Sequence, residues 1–194
     1  YPYRIPGKEF PDAASYNRSG STLSKDDWRR SNVDSIIHAL SKAIKEEKKM
    51  CRFGISPFSV WRNKDKDPLR GSDTRAGQTN YDDLYADILL WLQKGWIDYV
   101  TPQLYLEIGH DKIDYVKMLD WWSRNSFGKH IYIGHGIYRT SENHPKWKNP
   151  EEIPNQIKWL RRYPNVQGSI YFSSKSFERN PNGWNDSLQN TYYK

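Results

Sequence analysis

The sequence alternates between segments typical of β-strands and segments typical of helices, and this alternation limits the folds that the chain can adopt. Runs rich in β-branched and aromatic residues predict strands at 51–58, 97–105, 130–138 and 166–174. Each interval between them holds one helical pattern and two loops. Consecutive strands are therefore expected to be parallel, because a crossover helix returns the chain to the same end of the sheet.

The helical patterns carry start signals of their own. Before the first strand, Ser24 precedes Asp27 by three residues, which is the spacing of a capping box in its acidic form. Apolar residues then recur three and four positions apart, as on one face of a helix: Val33, Ile36, Ile37, Leu40, Ala43 and Ile44. The last helix is expected to begin near Pro154, because proline suits the first turn.

Repeated βα units build either an open doubly wound sheet or a closed barrel. Neither GxGxxG nor GxxxxGK[ST] occurs, so the usual fingerprints of nucleotide-binding open sheets are missing. A (β/α)8 barrel takes eight strands and about 250 residues, whereas this chain of 194 residues offers four strands and a stub at residues 1–3. We predict an α/β chain with a single domain over residues 1–194, the C-terminal part of a TIM-type (β/α)8 barrel, about strands 4 to 8.

Composition and motifs exclude several classes of protein. No run reaches the roughly 18 apolar residues of a spanning helix, and no leader segment opens the sequence. The single cysteine, Cys51, rules out an internal disulfide and a cysteine-based zinc site. No metal-ligand spacing and no Gly-x-Ser-x-Gly elbow occurs, so we expect neither a metal nor a cofactor.

Residues that follow the strands would form the catalytic face of a barrel. Those singled out are a carboxylate, amides, a cation and rings: Tyr3, Trp61, Arg62, Asn63, Gln103, Tyr105, Glu107, His135 and Tyr138. Amides and carboxylates bind sugar hydroxyls, and aromatic faces cover the apolar side of a pyranose, so these residues predict a sugar site. Trp61 and Tyr105 are the preferred stacking rings, in a chain with 9 Trp and 14 Tyr.

Each candidate also has a plainer interpretation. Glu107 reads either as a catalytic carboxylate or as an acid on a surface loop, and His135 either touches ligand or is structural. Asp65 and Asp67 lie where charges alternate, which is typical of a solvated turn. Glycoside cleavage takes two carboxyl groups, about 5 Å apart for retention and roughly 6.5 to 9.5 Å apart for inversion.

Several long motifs occur in one order and together resemble a known family. They are GISPFSVWRN (54–63), DPLRGSDT (67–74), YDDLYAD (81–87), GWIDYVTPQLY (95–105) and IYIGHGIYR (131–139). With KDDWRRSNVD (25–34) and the opening residues 1–12, they are similar to the glycosyl-hydrolase-like family 10 of bacterial envelope proteins. The resemblance covers nearly the whole chain.

The resemblance implies a TIM-type barrel and a glycosidase acting on cell-wall glycan, especially peptidoglycan strands stripped of peptide. It also implies an exported protein, periplasmic or an outer-membrane lipoprotein, whose signal and lipid anchor lie outside this sequence. Site roles carry over to the matching residues Trp61, Arg62, Asn63, Gln103 and Tyr105. Glu107 is the candidate acid/base.

Two departures from the family pattern bear on the site. The resemblance places a pair of aspartates, the leading catalytic candidates, just before the position of Tyr1, where this sequence does not reach. Leu106 stands where a tryptophan is common, which removes one stacking ring. A piece without the first strands is expected to be inactive alone, and either to self-associate through unpaired strand edges or to be marginally soluble.

Three functions compete on the sequence alone. The leading one is a glycoside hydrolase of bacterial cell-wall glycan, and the alternative is a glycan-binding module without catalysis. The net charge of +7 suggests nucleic-acid binding as a third. The basic residues are spread over the helices rather than gathered in one loop, so we predict a glycan partner and no nucleic-acid partner.

Overall fold

The computed structural model describes Ile5 and residues 7–193, so the predicted stub at residues 1–3 lies outside the described part. Its centre is a four-stranded sheet with β1 (Gly54–Ile55), β2 (Tyr99–Val100), β3 (His130–His135) and β4 (Val166–Tyr171) in that order. Every neighbouring pair is parallel, as the alternation predicts. This mixed α/β architecture is consistent with part of a TIM-type fold.

The first two strands are shorter than predicted. Each pairs over only two residues, and isolated bridges Phe58↔Gln103 and Gln103↔Gly134 continue the pairing beyond them. Pro57 and Pro102 follow these strands closely. Because proline has no N–H to donate, it interrupts a regular hydrogen-bond ladder.

Helices lie before, between and after the strands. In chain order they are α1 (Ala13–Arg18), α2 (Lys25–Glu47), α3 (Asn80–Asp83), α4 (Ile88–Gln93), α5 (Tyr115–Arg124), α6 (Pro145–Lys148), α7 (Glu152–Leu160), α8 (Ser174–Glu178) and α9 (Trp184–Ser187), with 3-10 turns at Ile137–Ser141 and Pro181–Gly183 and a π turn at Leu188–Tyr192.

Two predicted helix starts can be compared with the structure. The Ser24 hydroxyl oxygen accepts a hydrogen bond from the Asp27 N–H at 3.1 Å, so the predicted cap of α2 is confirmed. Helix α7 begins at Glu152, two residues earlier than the prediction from Pro154. Proline is tolerated there because the first N–H groups of a helix have no partner within it.

The two faces of the sheet differ in their surroundings. On one face Ile131, Ile133 and His135 are buried, on the side where α5 and α7 contact the sheet. On the other face the rings of Tyr99 and Tyr132 meet edge to face at 5.5 Å, beside a groove of about 600 Å³. Ile170 on this face is 48% exposed. The core therefore lies between the sheet and the helices.

Within residues 7–193, no helix combines the length and the apolar composition needed to cross a membrane.

Candidate functional site

The loops after β2 and β3 meet at the carboxyl ends of the strands. Arg139 donates a hydrogen bond from Nη1 to the backbone oxygen of Tyr105 at 2.9 Å. Gln103 forms isolated β-bridges with Phe58 on one side and Gly134 on the other, and its Nε2 donates to the backbone oxygen of Ser56 at 3.0 Å. The structure thus places Gln103 and Tyr105 at one end of the sheet. The loop that carries Glu107 starts at the same end.

Three rings form an aromatic cluster at this end, and we define the cluster as Tyr105, Tyr138 and Phe172. Their centroids are 5.9 Å apart for Tyr105 and Tyr138 and 6.0 Å apart for the other two pairs. Tyr138 is 41% exposed and Phe172 is 55% exposed. Apolar rings of this size that remain open to solvent are suited to contact a ligand.

Phe172 is the member of the aromatic cluster that the sequence reasoning missed. It stands in the run VQGSIYFSS, which was read only as a strand. A signal was present, because Ile170 and Phe172 are two residues apart and so point to the same face of a strand. Both are exposed while the other face is packed against helices.

Gly136 lies directly beneath the aromatic cluster. A Cβ atom at this position would stand 2.8 Å from the Cβ of Tyr105, closer than real contacts allow. Glycine is therefore required here by close approach of the backbone to the Tyr105 side chain. The side chain of Tyr105 thus packs against the backbone of Gly136 and against the rings of Tyr138 and Phe172.

Glu107 is buried in the loop after β2, with 7% of its surface exposed. Its Oε1 lies 4.0 Å from Nε2 of His144, and its Oε2 has no hydrogen-bond partner among the described residues. Burying a carboxyl oxygen without a partner is costly, so such a group in a folded protein calls for an explanation, catalysis being one. The catalytic role of Glu107 stays a prediction.

A second buried carboxyl group, Glu152, lies near Glu107 and was missed as a site residue. Its Oε1 accepts hydrogen bonds from the Ile108 N–H at 2.8 Å and from Nε2 of Gln156 at 2.9 Å. Burial raises the pKa of Glu152, and the charge of Glu107 raises it further, against the opposing effect of these two hydrogen bonds and of Lys146.

The sequence did contain a signal for Glu152. Glu152 and Gln156 are four residues apart and fall on the same side of α7 as Leu160, which is buried. Two polar residues on the buried face of an amphipathic helix indicate a buried hydrogen-bond network. Asn149 and Glu152 also stand at capping-box spacing, which predicts a helix cap, yet α7 has no side-chain cap hydrogen bond.

His135 is the last residue of β3, but its side chain lies in the core. Its ring is fully buried between the sheet and the helices, stacked on Tyr115 and Tyr171 at 6.0 and 5.2 Å. Nδ1 lies 2.9 Å from Oε1 of Gln156, and Nε2 lies 3.0 Å from the hydroxyl of Ser169. Substrate binding by His135 is thus not supported, because both nitrogens are engaged within the protein.

The buried imidazole predicts a distinct pH dependence of stability. Burial lowers the pKa of His135 from 6.5 to about 4, against an opposing hydrogen bond to Gln156. The unfolded chain therefore binds the proton first as pH falls, and His135 by its own titration lowers the stability of the native state between pH 6.5 and about 4. We expect a loss of about 3 kcal/mol across this window.

Urea unfolding measured at several pH values checks this expectation. Replacing His135 by asparagine should flatten the change between pH 6.5 and 4, while replacing the exposed His130 at the other end of β3 should leave it intact. Asp12, whose pKa an Arg29 hydrogen bond lowers to about 2, loses its proton-linked stabilisation only at lower pH. An unchanged slope in the His135 variant would contradict the assignment.

Trp61, predicted as a stacking ring, has no open face. Its side chain is fully buried, and its Nε1 donates a hydrogen bond to Oδ1 of Asp87 at 3.2 Å. Its ring stacks on Trp121 with centroids 6.1 Å apart. The geometry supports a packing role for Trp61 rather than direct contact with sugar.

Arg62 and Asn63 organise the segment 62–80. Arg62 forms a two-point ion pair with Asp82, at 2.8 and 3.0 Å. The Asn63 side chain accepts hydrogen bonds from the Thr74 hydroxyl and the Ala76 N–H and donates one to the Ala76 oxygen. These contacts engage both residues with positions 74–82 rather than with the loops after β2 and β3.

The remaining predictions concern groups outside this cluster. Tyr3 lies outside the described residues. Across the described part of the chain, no three His, Cys, Asp or Glu side chains come close enough together to hold a metal ion.

Comparison with known proteins identifies the family. A family model described as Glycosyl hydrolase-like 10 matches residues 1–151. The chain belongs to the glycosyl hydrolase-like 10 family. The resemblance drawn from the sequence motifs is thereby confirmed.

Named relatives of this glycosyl hydrolase-like 10 member support the assignment. The chain is 46% identical over 198 residues to glycosyl hydrolase YngK of Bacillus subtilis, covering 100% of this chain and 39% of that protein. It is 35% identical over 176 residues to glycosyl hydrolase DigH of Escherichia coli K12, covering 86% of this chain and 40% of that protein. The chain thus spans about two fifths of the length of the curated relatives it matches.

Proposed function

We propose that the protein carrying this chain is a glycoside hydrolase that cleaves bacterial cell-wall glycan, in particular peptidoglycan strands without peptide. The observation that carries the proposal is the aromatic cluster at the strand ends, next to a loop with the buried carboxyl group of Glu107. This arrangement occurs in a chain of a glycosyl hydrolase-like family. We also propose an exported protein of the cell envelope, anchored by lipid.

Each part of the site has a role in this proposal. The rings of Tyr105, Tyr138 and Phe172 cover the apolar faces of successive sugars. Gln103 binds hydroxyl groups from the side of the strand ends. Glu107 acts as the general acid/base that gives a proton to the leaving oxygen.

A second carboxyl group completes glycoside cleavage. Glu152 is a poor candidate, because its Oε1 already accepts two hydrogen bonds inside the protein. We propose the aspartate pair that the family resemblance places before Tyr1. On this proposal residues 1–194 alone bind glycan without cutting it.

The direct test is incubation of the full natural protein with peptidoglycan glycan strands from which amidase has removed the peptides. Release of soluble oligosaccharides, followed by mass spectrometry, is the expected result, with intact peptidoglycan as the comparison substrate. Retained binding of the glycan without release of oligosaccharides would instead favour the non-catalytic glycan-binding module. The open aromatic cluster alone would be enough for such binding.

The aromatic cluster makes its own prediction about affinity. Tyr138→Ala should weaken glycan binding by roughly tenfold, because removing the exposed ring gives up about 1.5 kcal/mol of apolar contact. Isothermal titration with glycan oligosaccharides measures this change. Phe127→Ala is a matched control, since Phe127 is a 48% exposed ring at the opposite ends of the strands. Equal losses in both variants would remove the cluster from the binding site.

A further inference from the structure

Helix α7 holds the loop after β2 at two points, one on each side of Glu107. Oε1 of Glu152 accepts a hydrogen bond from the Ile108 N–H at 2.8 Å. Nε2 of Gln156 donates to the backbone oxygen of Leu106 at 3.0 Å. The two side chains come from successive turns of one helix and also bond each other at 2.9 Å. The backbone that carries Glu107 is therefore fixed directly before and after it.

The contacts continue through the sheet and determine the orientation of Gln156. Nε2 of Gln156 donates to two oxygens, so its Oε1 is the acceptor that faces Nδ1 of His135 at 2.9 Å. His135 must then carry its proton on Nδ1. Its Nε2 accepts from the hydroxyl of Ser169 on β4 at 3.0 Å. The chain Ser169, His135, Gln156, Glu152 thus has one consistent set of donors and acceptors.

Most of the residues in this hydrogen-bond network are buried, so each of their polar groups needs its partner inside the protein. His135 and Gln156 are 0% exposed and Glu152 is 4% exposed. Polar groups buried this deeply cost free energy unless every partner is in place, so a satisfied network holds one geometry and excludes others. Packing of the sheet against α7 alone would require only apolar side chains at these positions.

We infer that Glu152 and Gln156 are positioning residues for Glu107, and that His135 and Ser169 orient Gln156. The inference rests on the proposed catalytic role of Glu107. Glu152 supplies an oxygen for the Ile108 N–H, and Gln156 supplies a donor for the Leu106 oxygen. Together they set the place and direction of the carboxyl group between them.

A pair of substitutions at Glu152 in the full natural protein separates its oxygen from its charge. Glu152→Gln keeps an oxygen that accepts from both the Ile108 N–H and Gln156, whereas Glu152→Ala removes it. We expect Glu152→Ala to speed hydrogen exchange at the Ile108 amide about tenfold or more. We expect kcat on peptide-free glycan to fall roughly 10- to 100-fold with KM nearly unchanged.

The conservative variant and a neighbouring acid serve as comparisons. Glu152→Gln should restore the slow exchange of the Ile108 amide and most of the kcat. Glu151→Ala removes the adjacent glutamate, which is exposed and pairs with Lys158 at 3.6 Å, and should leave both measurements unchanged. Equal losses of kcat in Glu152→Gln and Glu152→Ala would overturn the inference, because the charge and not the hydrogen bonds would then matter.

Nitrogen-15 NMR of His135 tests the network without any substitution. The expected spectrum has a proton on Nδ1 and none on Nε2 at neutral pH, and a proton on Nε2 would overturn the inference.

The outcomes of these experiments also separate the inference from the proposed function. If the wild type is inactive, but its Ile108 amide exchanges slowly in the wild type and in Glu152→Gln and fast in Glu152→Ala, the proposed function is wrong and the inference stands. If the wild type is active, but Glu152→Ala leaves the exchange rate of the Ile108 amide unchanged, the inference is wrong and the proposed function stands.

Discussion

Replacing Glu107 by glutamine is expected to lower turnover on peptide-free glycan strands by roughly 10²- to 10⁴-fold, the usual contribution of a general acid/base. The substitution keeps the size of the side chain and its burial but removes the transferable proton. Because the proposed glycan contacts lie in the aromatic cluster, KM should change little. Initial rates of oligosaccharide release by the full natural protein measure both quantities.

The matched control for Glu107 is Asp65→Asn, which removes an exposed acid from the segment 62–80 without touching the loop after β2. Its turnover should match the wild type. Undiminished turnover in Glu107→Gln would take this residue out of the mechanism.

Replacing Trp61 by alanine is expected to destabilise the chain by about 3 to 5 kcal/mol, the range for truncating a buried tryptophan. The change removes a fully buried ring that stacks on Trp121 and deprives Asp87 of its indole donor. Burial already raises the pKa of Asp87, so the loss of a hydrogen bond to it adds to the cost. Urea unfolding followed by circular dichroism measures the difference.

The outcome for Trp61 also decides between packing and sugar stacking. Leu69→Ala in the adjoining segment 62–80 is the control, because Leu69 is 95% exposed and its truncation should change stability by less than about 0.5 kcal/mol. At a temperature where Trp61→Ala remains folded, its glycan affinity should equal that of the wild type. A stable Trp61→Ala protein with weakened affinity would return Trp61 to the sugar site.

The parts of the fold that depend on local signals were predictable from the sequence. Apolar spacing and the cap at Ser24 located α2, because both act within a few residues along the chain. The alternation of elements correctly gave parallel strands. Strand lengths were not recovered, because the effect of Pro57 and Pro102 depends on which backbone groups face a neighbouring strand.

The candidate site was harder to predict because it depends on contacts between distant segments. Tyr105 and Tyr138 were named from their places after strands, and the structure brings them together. Trp61 stands at a similar place, but the segment 62–80 and α5 close over it. Glu152 was missed because its partner Ile108 is 44 residues away along the chain.

The strand order in the described part of the chain has a consequence for how such a protein can vary in size. The strands lie side by side in the order in which they occur, so each new βα unit is laid beside the last. Units of this kind can be added at either border of the sheet, next to β1 or β4, without reordering those already present. An added unit at either border would leave the aromatic cluster unchanged, because its three rings follow β2, β3 and β4.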